Sequence, residues 1–229
     1  MFRLESILPI FSFKFNGFTL NITSSIIVQW IVILILGIGA FLLTRNLKLK
    51  PSKTQAALEK VYQSIRDLAV DTMGEEYESF LPYIGTLMIY LLVLNFLGLI
   101  GIKPPTRDIS VTVSFAIITF LVVNINAIKK NGVIGYGNGL THPFAVMLPI
   151  NIMERFIVPL SLTLRLMGNM VAATVVIELV YHALGSIGMF AQFGLPIFVH
   201  GYFDLFDGTI QMIVFAMLTM INIKVTAEH

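Results

Sequence analysis

Residues 147–184, MLPINIMERFIVPLSLTLRLMGNMVAATVVIELVYHAL, decide how this chain folds. The stretch is apolar over nearly twice the ~20 residues that cross a ~30 Å hydrocarbon core. Its solvent is therefore lipid, where a helix satisfies its own backbone hydrogen bonds. A helix of this length must tilt or kink within a bilayer. Near its middle stands Arg165, whose pKa of about 12.5–13.8 keeps it cationic. Lying about 18 residues from the start, at ~1.5 Å rise per residue, it is far from either end. A charge there costs from ~3 to more than 10 kcal/mol unless it faces protein or a water-filled cavity, so its presence marks a function.

Working outward, 22–44, 80–102, 109–128 and 195–225 are further apolar runs of spanning length. The expectation is an all-α integral membrane protein, one membrane domain over 1–229, with five transmembrane helices of which 147–184 and 195–225 are long and tilted. Residues 54–73 carry Leu58, Val61, Ile65 and Leu68 at helical spacing among Glu59, Lys60, Arg66 and Asp67. That pattern predicts an amphipathic helix on the cytoplasmic membrane surface. Arg45, Lys48, Lys50 and Lys53 follow the first run directly, Lys129 and Lys130 follow the third, and Lys224 lies near the end. By the positive-inside rule these ends are cytoplasmic, which places the N-terminus outside and the C-terminus in the cytoplasm. Met1 to Asn21 is then a short external segment, and 22–44 a retained helix rather than a cleaved signal.

Composition removes several classes. With 56% hydrophobic and only 12% charged residues, and a mean hydropathy of +0.86, the chain cannot present a water-exposed surface. A net charge of +2 without a basic block offers no electrostatic footprint for nucleic acid. The absence of cysteine excludes disulfides and thiolate metal sites. Gly132, Gly135, Gly137 and Gly139 read as a loop lacking the preceding strand that a phosphate cradle needs. Ser161 and Thr163 have no neighbouring histidine to act as base, and no His-Glu-x-x-His pattern is present. No cofactor, metal or catalytic residue is expected, and the chain is not an enzyme by itself.

The polar residues of the last two spans form stripes. Asn169 stands one turn beyond Arg165 on its face, while Thr174, Glu178 and His182, spaced by four, run along the other side. On the fifth span His200, Asp204, Asp207 and Gln211 fall at i, i+4, i+7 and i+11. Two such stripes facing one another would line an aqueous path. The blander readings are an ion pair from Arg165 to Glu178 or Asp204 across helices, histidines at the interface, and an aspartate pair near the outer surface. A self-contained transporter that binds an anion at Arg165 is the competing function. An intramembrane hydrolase using His200, Asp204 and Asp207 is a third, without a nucleophile to support it.

Pro159-Leu-Ser-Leu-Thr-Leu-Arg165-Leu-Met-Gly-Asn169-Met resembles the signature of subunit a of bacterial F-type ATP synthases. Ile210-Gln211 with Phe215, Leu218 and Thr219 resembles that family's last helix, and Phe80-Leu-Pro-Tyr-Ile-Gly-Thr and Pro105-Thr106-Arg107-Asp108-Ile-Ser-Val-Thr fall in the expected order. The resemblance implies that Arg165 is a stator arginine facing a ring of c subunits, with Asn169 and Gln211 beside it. It implies two offset half-channels that carry H⁺ or Na⁺ to and from ring carboxylates, coupling ion flow to rotation and ATP synthesis. It also implies b subunits of a peripheral stalk as partners, besides membrane lipids. Where members often hold Glu or His nine residues after the arginine, this chain has Thr174, and Glu178 one turn on is the candidate replacement. Asp204 stands where members often hold His or Glu.

Overall fold

The computed structural model describes residues 11–15, 18–102, 104–139, 148–185, 198–199 and 201–228. Five of its helical segments are long and apolar enough to cross a bilayer, so the chain is an all-α multi-pass membrane protein. Helix α1 (Ser24–Thr44) fully buries only Val32, packs Val28 and Leu36 partly against the core, and exposes most of its other residues, including Trp30 at 60%. The amphipathic α2 (Lys53–Met73) is opened by Ser52, whose hydroxyl accepts from the Gln55 amide, and buries Ala69 and Met73. Arg66 on α2 reaches Glu78 of the following 3₁₀ turn, Nε to Oε1, at 2.7 Å. That hydrogen bond, and then the carboxylate charge, hold the guanidinium above its ordinary pKa.

The interior is built by α3 (Leu81–Phe96), α4 (Ile109–Gly139), α5 (Leu148–Gly185) and α6 (Gly208–Glu228). On α3 the residues Leu81, Ile84, Leu87, Met88, Leu91, Leu94 and Asn95 recur at three and four and form its buried stripe. Helix α6 buries Phe215, Ala216, Met220 and Ile223 against α3 and α4, where Phe115 meets Phe215 edge-on at 6.4 Å between ring centres. α5 packs along α4, so α4 has α5 and α6 as its principal neighbours.

Three features differ from expectation. Residues 11–22 include an antiparallel hairpin, β1 (Phe11–Phe15) and β2 (Phe18–Ile22), where only a short external segment was expected. Helix α4 continues past Ile128 through Lys129 and Lys130, because lysine is a good helix former. It breaks at Gly132, whose φ of 71° belongs to the region that glycine alone enters cheaply. Beyond the break the chain to Gly139 is again helical, so the glycine-rich stretch is not a loop. Lys130 is held by the Tyr77 hydroxyl at 3.0 Å, and Asn131 Nδ2 donates to the Ala227 carbonyl at 3.1 Å near the end of α6. Finally, the fifth span enters through a π-helical stretch, Gly201–Asp207, before becoming α6.

Candidate functional site

Helix α5 buries Leu162, Thr163, Leu166, Met170 and Ala173 on one side. Its other side carries Ser161, Arg165, Gly168 and Ala172 at i, i+4, i+7 and i+11, all exposed. Arg165 is thus flanked along its own stripe by small residues, and a Cβ built on Gly168 meets nothing within 4 Å. Among the described residues no carboxylate pairs with the Arg165 guanidinium and no acceptor bonds to it.

Arg155, ten residues earlier on the same helix, behaves differently. Its Nη1 donates to Asn124 Oδ1 at 3.3 Å, and its guanidinium carbon stands 4.4 Å from the Tyr136 ring centre. The Tyr136 hydroxyl donates to the same Asn124 oxygen. This cation is neutralised by packing and dipoles; it locks α5 to both arms of the bent α4. Of the two arginines, only Arg165 keeps its donors unspent within the described chain.

Asn169 is half-buried one turn beyond Arg165, while Glu178 and His182 are exposed on α5. Thr174 spends its hydroxyl proton on the Met170 carbonyl at 2.8 Å, a bond within its own helix. The titratable groups of that stripe are therefore Glu178 and His182.

On the fifth span the polar residues divide. Asp204 and Gln211 are buried at 7% and 5% exposure, and Asp207 is intermediate. The wider π turn explains the division, since it shifts the angular register that a uniform 3.6-residue helix would give. His200 lies outside the described residues. The Asp204 carboxylate is pressed onto the backbone of Gly98, where a Cβ would come within 2.7 Å of its Cγ. Beside it, buried Asn95 donates from Nδ2 to the Gly208 carbonyl at 2.9 Å and accepts from Thr106 at 3.2 Å. One amide thus joins α3, the Pro105–Arg107 turn and the first residue of α6. Further along α6, Gln211 Oε1 and Thr219 Oγ1, about two turns apart, are buried without a hydrogen-bond partner among the described residues. α5 and α6 both pack along α4 and scarcely touch one another, so among the described residues the exposed Arg165, Glu178 and His182 of α5 are not brought face to face with the buried Asp204 and Gln211.

The protein-family model for the ATP synthase A chain matches residues 26–224. The chain belongs to this family. Its curated relatives agree: it is 34% identical to the sodium-ion-specific ATP synthase subunit a of Propionigenium modestum, over 91% of this chain and 74% of that one. It is also 34% identical to ATP synthase subunit a of Moorella thermoacetica, over 87% and 88%. With ATP synthase subunit a 1 of Crocosphaera subtropica the identity is 32%, over 89% and 86%. Members of the family are non-catalytic membrane subunits.

Asn95, Gly98, Thr106, Asn124 and Tyr136 are the residues that reading the sequence passed over. A signal existed for Asn95, an amide inside an apolar run, since a buried amide demands partners. Its partners, 11 and 113 positions away, emerge only from the packing.

Proposed function

We propose that this chain is the ion-translocating stator of a rotary ATP synthase, working against a ring of c subunits and held by the b subunits of a peripheral stalk. The observation that carries the reading is Arg165: permanently charged, central in an apolar helix, exposed on a small-residue stripe and unpaired among the described residues. Such a cation awaits an anion from outside the chain. A small-residue stripe permits the close helix approach that would deliver one. A ring carboxylate arriving at 4 Å gains roughly 4 kcal/mol at an effective dielectric of 20, enough to keep it ionised while it passes.

In this reading H⁺ or Na⁺ reaches and leaves the ring by two offset half-channels. Thr174, Glu178 and His182 on α5, and His200, Asp204, Asp207 and Gln211 on the fifth span, supply their polar groups, with Asn169 beside the arginine. The unpartnered oxygens of Gln211 and Thr219 support this, because buried acceptors of that kind are satisfied by a hydrated ion or by water. Arg165 separates the half-channels by repelling a cation that would leak between them. Each charge that crosses yields ~2.3 kcal/mol per 100 mV, so several must pass for each ATP made. The basic residues after the first and third spans support an external N-terminus and a cytoplasmic C-terminus in a bacterial inner membrane.

The test is Arg165→Ala in the assembled complex, reconstituted in vesicles with and without sodium. ATP-driven pumping and ATP synthesis should be lost while the complex still assembles, and the sodium requirement of the wild type identifies the coupling ion. Coupled pumping at the normal rate in the variant would end the proposal.

A further inference from the structure

The edge-on contact of Phe115 on α4 with Phe215 on α6 is extended by Tyr90 of α3, whose ring centre lies 5.7 Å from that of Phe115. Polar groups stand on either side of this buried pair. Residues three or four apart share a helix face, so Thr112 and Thr119 flank Phe115 while Gln211 and Thr219 flank Phe215. All four are buried, none of them above 5% exposure. The two helices run parallel and at matching depths, since Phe115 meets Phe215 nearer one end and Asn131 reaches the Ala227 carbonyl at the other. Thr112 is therefore level with Gln211, and Thr119 with Thr219.

The hydroxyls are not spent alike. Thr112 donates within its own helix to the Ile109 carbonyl at 3.1 Å, and Thr119 shares a 3.3 Å hydrogen bond with the Tyr83 hydroxyl of α3. A helical threonine commonly returns its proton to the carbonyl one turn back, as Thr163 and Thr174 do. Thr219 does not, and neither its hydroxyl nor Gln211 Oε1 has a partner among the described residues. Buried groups of this kind are satisfied by ordered water.

We propose that Phe115 and Phe215 form an apolar seal in the seam between α4 and α6. The seal divides a hydrated pocket at Thr112 and Gln211 from a second one at Thr119, Thr219 and Tyr83. Proton transfer needs a continuous chain of hydrogen-bonded groups, and hydrated ions are excluded where an apolar constriction sheds its water. The seam offers polar groups on each side and interrupts them at the rings. Arg165, exposed on α5, lies outside this seam and cannot block it. The seal thus prevents a shunt that the arginine does not guard. That role rests on the reading of the chain as an ion-conducting stator, whereas the division of the seam does not.

Because the chain has no cysteine, Thr219→Cys places a single thiol in the second pocket. In the assembled complex in vesicles, silver ion should reach this thiol from one face of the membrane only, read as protection of this chain from later alkylation. Adding Phe215→Ala should open the thiol to both faces, and adding Phe215→Leu, which keeps an apolar plug, should not. With Thr219 restored, Phe215→Ala should lower the ATP-driven ion gradient several-fold while ATP hydrolysis continues, and Phe215→Leu should recover the gradient. A merely weakened structure would lose both activities together. A thiol reached from both faces with the rings intact, or from neither, would overturn the proposal. So would a full gradient in Phe215→Ala. If Phe215→Ala does not assemble, silver access to Thr219→Cys decides alone. Silver access requires neither the ring nor Arg165, so it remains decisive even if the stator reading fails.

Discussion

The carboxylate of Asp204 rests on Gly98: a Cβ placed there would stand 2.7 Å from both Cγ and Oδ1 and 3.0 Å from Oδ2. Gly98→Ala must therefore push the buried acid aside. Overpacking of this kind costs about 1–3 kcal/mol, and ion conduction should fall as Asp204 leaves its place. Combining it with Asp204→Ala gives the check, since a coupled pair departs from additivity. Strictly additive effects on pumping and melting temperature would mean that the contact is without consequence.

Asn95 joins three elements with one amide. Asn95→Leu strands the Gly208 carbonyl and the Thr106 hydroxyl in an apolar setting, at a cost of about 1–3 kcal/mol for each unsatisfied group. The assembled complex should melt several degrees lower in detergent. A melting curve that overlays the wild type would show that the amide is dispensable.

Arg155 and Arg165 should separate cleanly under substitution. Arg155→Lys keeps the charge but loses the planar group that stacks on Tyr136 and reaches Asn124. Stability should drop by about 1 kcal/mol while ATP-driven pumping continues in the complexes that survive. A complete loss of pumping in stable Arg155→Lys complexes would assign that residue a role in ion transfer.

Glu178 is exposed on the stripe whose Thr174 hydroxyl is already committed to the Met170 carbonyl. Glu178→Ala should slow proton or sodium conduction by roughly a hundredfold, the lower end of what a positioned proton-transfer group contributes. Glu178→Asp should recover part of it. Conduction unchanged in Glu178→Ala would rule out the replacement of the family's usual acid or histidine by this residue.

What could be read from the chain beforehand follows from how local each feature is. Five apolar runs are legible because a bilayer imposes a length on each crossing, and Arg165 is legible because a permanent charge inside such a run has no cheap explanation. The Gly132 break was visible as glycine, but whether helix resumes after it is decided by the grip of Asn124 and Arg155 on Tyr136. The π turn at Gly201–Asp207 changes which of Asp204, Asp207 and Gln211 points inward, and no spacing rule for a regular helix anticipates it. The Asn95 junction spans 113 positions and belongs wholly to the tertiary level. The alternation Phe-Ser-Phe-Lys-Phe of residues 11–15 is a local strand signal that the expectation of a short external segment left unread.

Trp30 is the sole tryptophan of the chain and sits on the outward flank of α1. Ultraviolet emission excited at the red edge in the isolated chain therefore comes from a single indole, exposed on a helix of membrane-spanning length. Its colour gauges how wet that depth of the bilayer is, so thickening or thinning the membrane can be followed optically without adding any dye.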